Sequence, residues 1–308
     1  MIDEGGRWSP SPLVAETRMD KTQLLDKQTT LTAAAQLVRP GDTLALGGMT
    51  LYRRPVAFVR ELIRQGTGDL TLLAFTAGYE SDLLVGAGLV RQVRTCYFGL
   101  EIFGLAPMYS QRAERGEIEI VEETEASIAF GLRATLAGVG FMPGQGWIGT
   151  DLLRIRPDVK LVADPYSGRQ YIAFPAIKPD VAVIHAPLAS RVGDAVLHGN
   201  LAVDCQLAMA ADTVIITAER VVEKLDEPLD IIGLAVDAVV EVPHGAAPTS
   251  CWPDYPLDGA EILRYVEACA SGEFDAYLDD FLTSVGPRAR PTMFAVKNHE
   301  PTGNRLHN

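Results

Sequence analysis

Apolar and polar positions along this chain fall into blocks of two kinds. Short, nearly continuous apolar runs such as "TLALGG", "LTLLAF", "VRTCYFG", "VAVIHAPL", "TVIITAERVV" and "DAVVEVPHGA" are rich in β-branched and aromatic residues and read as strands. "IEIVEE", "KLVADP" and "YIAFPA" add further strands. Between them lie segments with apolar residues every three or four positions, the period of a helix with one buried face. "PVAFVRELIRQG" sets Val56, Phe58, Val59, Leu62 and Ile63 on one side and stops at Gly66. "TTLTAAAQLV", capped by Thr29 or Thr30, starts the series. "SDLLVGAG", "MYSQRAERG", "ASIAFGLRATLAG" and "CQLAMAA" continue it, and "GAEILRYVEACA" and "FDAYLDDFLTSV" end it.

Strands alternating with helices predict βαβ units and a largely parallel sheet covered on both faces. The expected fold is α/β, a three-layer αβα sandwich forming one domain over residues 29–285, less regular between 140 and 200. Residues 1–28, with the turn-forming "GGRWSPSP", are expected to be a flexible extension, with Met19 as an alternative first residue. Residues 286–308 are expected to be a tail.

Composition narrows the function classes. With 308 residues, 47% hydrophobic and 22% charged, the chain can bury a sizeable core. No run approaches the roughly 18 apolar residues of a membrane span, and the polar, acidic first residues lack the apolar centre of a secretory signal. A formal charge of −13 disfavours nonspecific binding to nucleic acid or to an anionic membrane. Cys96, Cys205, Cys251 and Cys269 show no paired spacing, so reduced thiols in a cytoplasmic protein and no metal site are expected.

In open α/β sheets ligands lie beyond the carboxyl ends of the strands. After the first strand comes "LGGMTLYRRP". Gly47 and Gly48 allow a close backbone approach, with N–H groups for a phosphate or oxyanion; a tight strand-to-helix turn explains them equally well. The pattern is neither a dinucleotide fingerprint nor a phosphate-binding P-loop, which disfavours a dehydrogenase. Arg53 and Arg54 suit a carboxylate or phosphate, although solvated arginines are the commoner outcome. "FTAGYESD" and "FGLEIFGLAP" put Thr76, Gly78 and Glu101 at the next two strand ends, and Glu101 sits among apolar neighbours. "GEIEIVEETEASI" holds five glutamates. Glu117 and Glu119 alternate with isoleucines and should be exposed, and Glu122 and Glu123 are open. Glu125 follows a helix cap at Thr124, where the helix dipole favours a carboxylate. "FMPGQGWIGTD" reads as another glycine loop near a ligand, and His198 of "DAVLHGN" as a turn-supporting residue.

Taken in order, "GDTLALGGM", "RRPVAFVRELI", "DLTLLAFTAG", "DLLVGAGLVRQV", "GEIEIVEETEASIAFGLRATLAGVGFMP", "GDAVLHGN" and "VPHGAAPTS" resemble the A subunits of family I coenzyme A-transferases, of the glutaconate CoA-transferase type, over roughly residues 30–265. The resemblance implies a B-subunit partner, an A2B2 assembly, and no permanent cofactor. The substrates would be a coenzyme A thioester and a carboxylic acid. It puts the covalent glutamate, which forms an acyl anhydride and then a glutamyl-CoA thioester, on the B subunit. Gly47, Gly48, Met49, Arg53, Thr76 and Gly78 would then line the acyl site. A related branch, the ring-cleaving CoA-ester hydrolases of steroid catabolism, has a functional glutamate that falls on Glu125, so Glu125 and Glu101 are the candidate catalytic carboxylates, facing a cleft near Gly47 and Gly48. A third reading from another class is a ligand-sensing domain without catalysis.

Overall fold

The computed structural model describes residues 26–283. The first half runs α1 (Leu31–Ala35), β1 (Thr43–Leu46), α2 (Val56–Gln65), β2 (Leu70–Ala77), α3 (Tyr79–Gly86) and β3 (Val90–Phe98). A 3-10 turn (Glu101–Phe103), α4 (Pro107–Glu114), β4 (Glu119–Glu122) and α5 (Glu125–Leu136) follow. The second half contains β5 (Phe141–Gly144), α6 (Leu152–Ile155), β6 (Lys160–Ala163), β7 (Gln170–Pro175), β8 (Val181–Ser190) and β9 (Ala195–Val196). It ends with α7 (Asp204–Ala210), β10 (Thr213–Val222), β11 (Ala238–Glu241), α8 (Gly259–Ala270) and α9 (Phe274–Thr283). Thr30 caps α1, and Gly66 closes α2 at φ 69°.

Seven strands form one parallel sheet in the order β11-β10-β8-β1-β2-β3-β4, with β9 antiparallel on β8. The continuous apolar runs are explained by burial on both faces. Leu44, Leu46, Leu70, Leu72, Val181, Val183 and Ile215 meet Phe58, Val59 and Leu62 of α2 and Leu84 and Val85 of α3. The intervening Ala45, Leu73, Ala182, Ile184 and Ile216 meet Ile128 and Leu132 of α5 and Leu207 and Ala208 of α7. This is the expected three-layer sandwich.

The stretch from 140 to 200 is more ordered than its sequence suggests. β5, β7 and β6 make a separate antiparallel sheet over Trp147, Val159, Ile172 and Phe174. "FMPGQG" is therefore β5 and a turn, and its first two glycines face protein. A Cβ on Gly144 would come within 2.8 Å of the Phe130 and Phe174 rings, and one on Gly146 within 3.3 Å of Ala126. At the start of the described chain, Thr29 N–H donates to Val239 of β11, and the Lys27 ammonium donates to the carbonyls of Gly233 and Val236. Residues 26–28, expected in the extension, thus border the sheet; the rest of that extension and the tail lie outside the described residues.

One buried carboxyl ties three helices together. Asp82, in α3, accepts the N–H groups of Met108 and Tyr109 at the start of α4 and the hydroxyl of Tyr265 on α8, at 3.1, 2.6 and 2.6 Å. Burial pushes its pKa up to about 6 from 3.8, although these three hydrogen bonds pull it down. The folded state therefore binds this proton more tightly than the unfolded chain does. The associated stability is full below pH 3.8 and lost as pH rises through about 6. Lowering pH from 7.5 to 4 should widen the unfolding free-energy gap between the native chain and Asp82→Asn, in favour of the native chain, by about 2 kcal/mol. Urea titrations of both proteins across that range measure it, and a gap independent of pH refutes it.

Candidate active site

Strand order reverses between β1 and β8, which in an open parallel sheet marks the ligand crevice. Here that point is filled from within. Arg53, after β1, places Nη1 2.9 Å from Oδ2 of Asp204 at the start of α7, with both side chains buried. The same guanidinium donates to the carbonyls of His185 and Asn200 at 3.1 and 2.8 Å. Arg54 holds Glu80 of α3 through Nε and Nη2 at 2.8 and 2.5 Å, and donates to the carbonyls of Gly48 and Thr76 at 3.0 Å each. Neither arginine is solvated. Each exchanges water for a carboxylate and backbone oxygens, an exchange that the planar guanidinium fork favours. Taking one partner away would strand a buried charge at a cost of about 3–5 kcal/mol.

The glycine pair belongs to the same framework. Gly47 N–H donates to the Val183 carbonyl, and Gly48 N–H donates to both Asp204 oxygens at 2.9 and 3.1 Å. These N–H groups are engaged and cannot serve as oxyanion donors. Gly48 is at φ 80°, and a Cβ there would lie 2.5 Å from the Arg53 carbonyl. A Cβ on Gly78 would lie 1.8 Å from the Thr50 carbonyl, so the β1 and β2 loops touch backbone to backbone. Thr76 is buried, and its hydroxyl accepts Thr50 N–H at 2.9 Å. Met49 is half-buried, with its sulfur 2.9 Å from the Asn200 amide. Of the six residues expected to line an acyl site, five are buried parts of this scaffold and only Met49 is half-open.

Two carboxylates on the adjoining strand ends are exposed and carry no ion pair among the described residues. Glu101 opens the turn after β3 at φ 55°, in the left-handed region. Beside it, Ile102 is 92% exposed and Leu105 75%. Its apolar neighbours therefore do not bury it. Glu125 is the first residue of α5, behind a capping box in which Thr124 accepts Ser127 N–H and Ser127 accepts Thr124 N–H. Its carboxylate lies close to Cys96 of β3: burial first, and then Glu125, push that thiol up to about 11. Glu125 therefore overlooks the carboxyl edge of the sheet. It stands three strand positions from β1, about 14 Å along the sheet, beside the strand end of Glu101 rather than beside Gly47 and Gly48.

Of the other glutamates in that run, Glu117, Glu119 and Glu122 are exposed. Glu123 is 3% exposed and held by Arg94 and Arg156. Sequence reasoning missed Glu80, Glu123 and Asp204 as partners of buried arginines. One signal was present: Glu80 and Asp82 sit in an apolar helix without a polar face, which leaves them nowhere to go but inward. Among the described residues, His185, Glu219 and Cys251 are close enough together to hold a metal. The ring nitrogens of His185 and the carboxylate of Glu219 are already engaged, however. His185 Nδ1 meets Thr217 and Nε2 meets Glu219, whose carboxylate also takes the Tyr255 hydroxyl and the N–H groups of His244 and Gly245. Two shallow recesses, of about 360 and 400 Å³, lie elsewhere: one over Phe141 and Leu161, the other beside Arg264 and Tyr277.

The profile of the family described as Coenzyme A transferase matches residues 27–242. The chain is similar to the A subunit of the 3-oxoadipate CoA-transferase of Pseudomonas knackmussii, with 34% identity over 81% of this chain and 91% of the relative. It is similar to the A subunit of the glutaconate CoA-transferase of Acidaminococcus fermentans, with 31% identity over 89% of each. Similarity to the cholesterol ring-cleaving hydrolase IpdA subunit of Rhodococcus jostii is 32% over 79% of this chain and 87% of that one. Among solved structures, the decarboxylase AibA/AibB superposes with a TM-score of 0.80 and 30% identity, covering 84% of this chain and 100% of that one. The Acidaminococcus fermentans glutaconate coenzyme A-transferase superposes with a TM-score of 0.77 and 30% identity, covering 82% and 88%. Together with the parallel sheet and its strand-end loops, these matches show that the chain belongs to the coenzyme A transferase family.

Proposed function

We propose that this chain is the A-type half of a two-subunit enzyme that moves coenzyme A between carboxylic acids, with the covalent glutamate on a B-type partner. One observation carries the reading. The buried carboxylates Asp204, Glu80 and Glu123 are each tied up by arginine, whereas Glu101 and Glu125, which follow the ends of β3 and β4, stand exposed and outside any ion pair among the described residues. An acyl anhydride survives only where water is kept out. This edge has no roof of its own, and the exposed Ile102 and Leu105 supply apolar surface for a partner to cover. The substrates are a coenzyme A thioester and a carboxylic acid, with no permanently bound cofactor, and an A2B2 assembly is the arrangement we expect. The free cysteines fit a reducing compartment, the cytoplasm. Among the described residues no helix is long and apolar enough to cross a membrane.

In this reading the chain contributes a wall. The arginine-bound framework fixes the β1 and β2 loops, and Glu125 and Glu101 face the thioester from the next two strand ends. A second reading, a ring-cleaving CoA-ester hydrolase, is favoured by Glu125 itself. An exposed carboxylate held at a rigid helix start can take a proton from water or from a C–H beside a carbonyl. It would do so in a complex whose partner has no nucleophilic glutamate.

Expressed alone, the chain should exchange no coenzyme A between acyl-CoA and a free acid, and coexpression with a B-type partner chain should restore exchange. A panel of CoA esters followed by mass spectrometry measures this, and robust transfer by the isolated chain refutes the two-subunit reading.

Glu125→Gln keeps the shape and removes the charge. If Glu125 acts as a base, turnover of the complex falls by about a hundredfold or more with the melting temperature unchanged. Turnover near normal would leave Glu125 as a helix-start anchor and end its catalytic reading.

A further inference from the structure

We propose that the antiparallel unit of β5, β6 and β7 is a clamp on the first turn of α5, and that Trp147 and Arg156 are positioning residues for Glu125. The proposal deepens the reading in which Glu125 faces substrate, and rests on it. Its grip on the helix start comes from three directions.

The first is a hydrogen bond to the cap. Trp147 is 1% exposed, and its indole N–H donates to Thr124 Oγ1 at 2.8 Å. The same oxygen accepts Ser127 N–H at 3.2 Å, which fixes the hydroxyl that starts the helix. The indole is itself held edge-on against Phe174 of β7, with ring centroids 5.2 Å apart. The second is a charged bracket below the cap. Arg156 donates to the Glu122 carbonyl at 2.8 Å and reaches the Glu123 carboxylate at 3.1 Å. Asp158 holds the far side of the guanidinium at 2.9 and 2.7 Å, and Arg94 of β3 holds Glu123 from the sheet. The third is contact without side chains. Gly144 and Gly146 let the β5 turn lie directly on Phe130 and Ala126, one face of the first two turns.

Residues 122, 123, 124, 126 and 130 are therefore all gripped, and Glu125 is left pointing out beside Cys96. A unit that only filled space would need neither the indole donor nor the bracket on a carbonyl. Because the cap hydroxyl has two fixed donors, the backbone of residue 125 has little freedom. A displacement of about 1 Å in a reacting group can cost a hundredfold in rate.

The test uses Trp147→Phe, which keeps an aromatic ring and deletes the donor, and Gly146→Ala, which presses on Ala126 by a few tenths of an ångström. Each is made with and without Glu125→Gln. In the coexpressed complex, each should lower kcat about tenfold with KM little changed, and neither should lower it further once Glu125 is glutamine. An equal loss in both backgrounds overturns the proposal. A second readout is independent of activity. In the full chain, the pH profile of alkylation at Cys96, followed by peptide mass spectrometry, reports the fields of Glu125 and of the buried Glu123 on that thiol, and the Glu125→Gln background separates the first from the second. Trp147→Phe and Gly146→Ala should move the Cys96 titration downward, toward the value seen with Glu125→Gln. An unmoved titration overturns the clamp. If Glu125→Gln leaves kcat unchanged while the Cys96 titration still responds to Trp147→Phe, the clamp stands and the catalytic reading of Glu125 fails.

Discussion

The architecture at the carboxyl edge depends on how two adjacent arginines are buried. Arg53 and Arg54 leave β1 together and turn opposite ways, one to Asp204 under the β8 side of the sheet and one to Glu80 under the β2 side. A guanidinium taken out of water must find a carboxylate and further acceptors, or the fold loses several kcal/mol. Both do. In engaging them, the chain fixes the loops after β1, β2 and β8 against one another. Gly48 is drawn in by Asp204, Thr50 by Thr76, and the 244–251 segment by Arg53 N–H on Ser250 and Arg54 N–H on Thr249.

That constraint has a functional consequence. In many parallel sheets the reversal of strand order opens a crevice where ligand enters. In this chain the reversal is closed by an ion pair, and the exposed carboxylates Glu101 and Glu125 stand at the ends of β3 and β4, where the proposed site lies. The scaffold is rigid where it is buried and unfinished where it is exposed. That division is what a chain requires if its partner completes the site.

The antiparallel unit extends the same logic. It adds no strand to the main sheet and contributes little to the two large cores. Its buried ring, Trp147, and its arginine, Arg156, both end on the start of α5. Charge neutralised inside the molecule is thus used twice to fix geometry at the edge, first by Arg53 and Arg54 at β1 and β2, then by Arg156 and Arg94 at β4.

The sequence by itself determined the sandwich. A parallel sheet buried on both faces needs long apolar strands, and "LTLLAF", "VAVIHAPL" and "TVIITAERVV" have no other stable place to go. The caps at Gly66 and Thr124 were equally legible, and the first was narrowed to Thr29 or Thr30, because a cap depends on residues three or four apart in the chain. The ordered motifs from "GDTLALGGM" to "VPHGAAPTS" also carried the family. Tertiary structure alone decided the environment of each charge. Arg53 and Asp204 are 151 positions apart, and nothing local indicates that they meet. Glu123 and Glu125, two residues apart in one acidic run, differ completely because β4 ends between a sheet edge and a foreign arginine. The glycines of "FMPGQG" looked like a ligand loop, since a missing side chain invites any close neighbour; only the fold shows that the neighbour is α5.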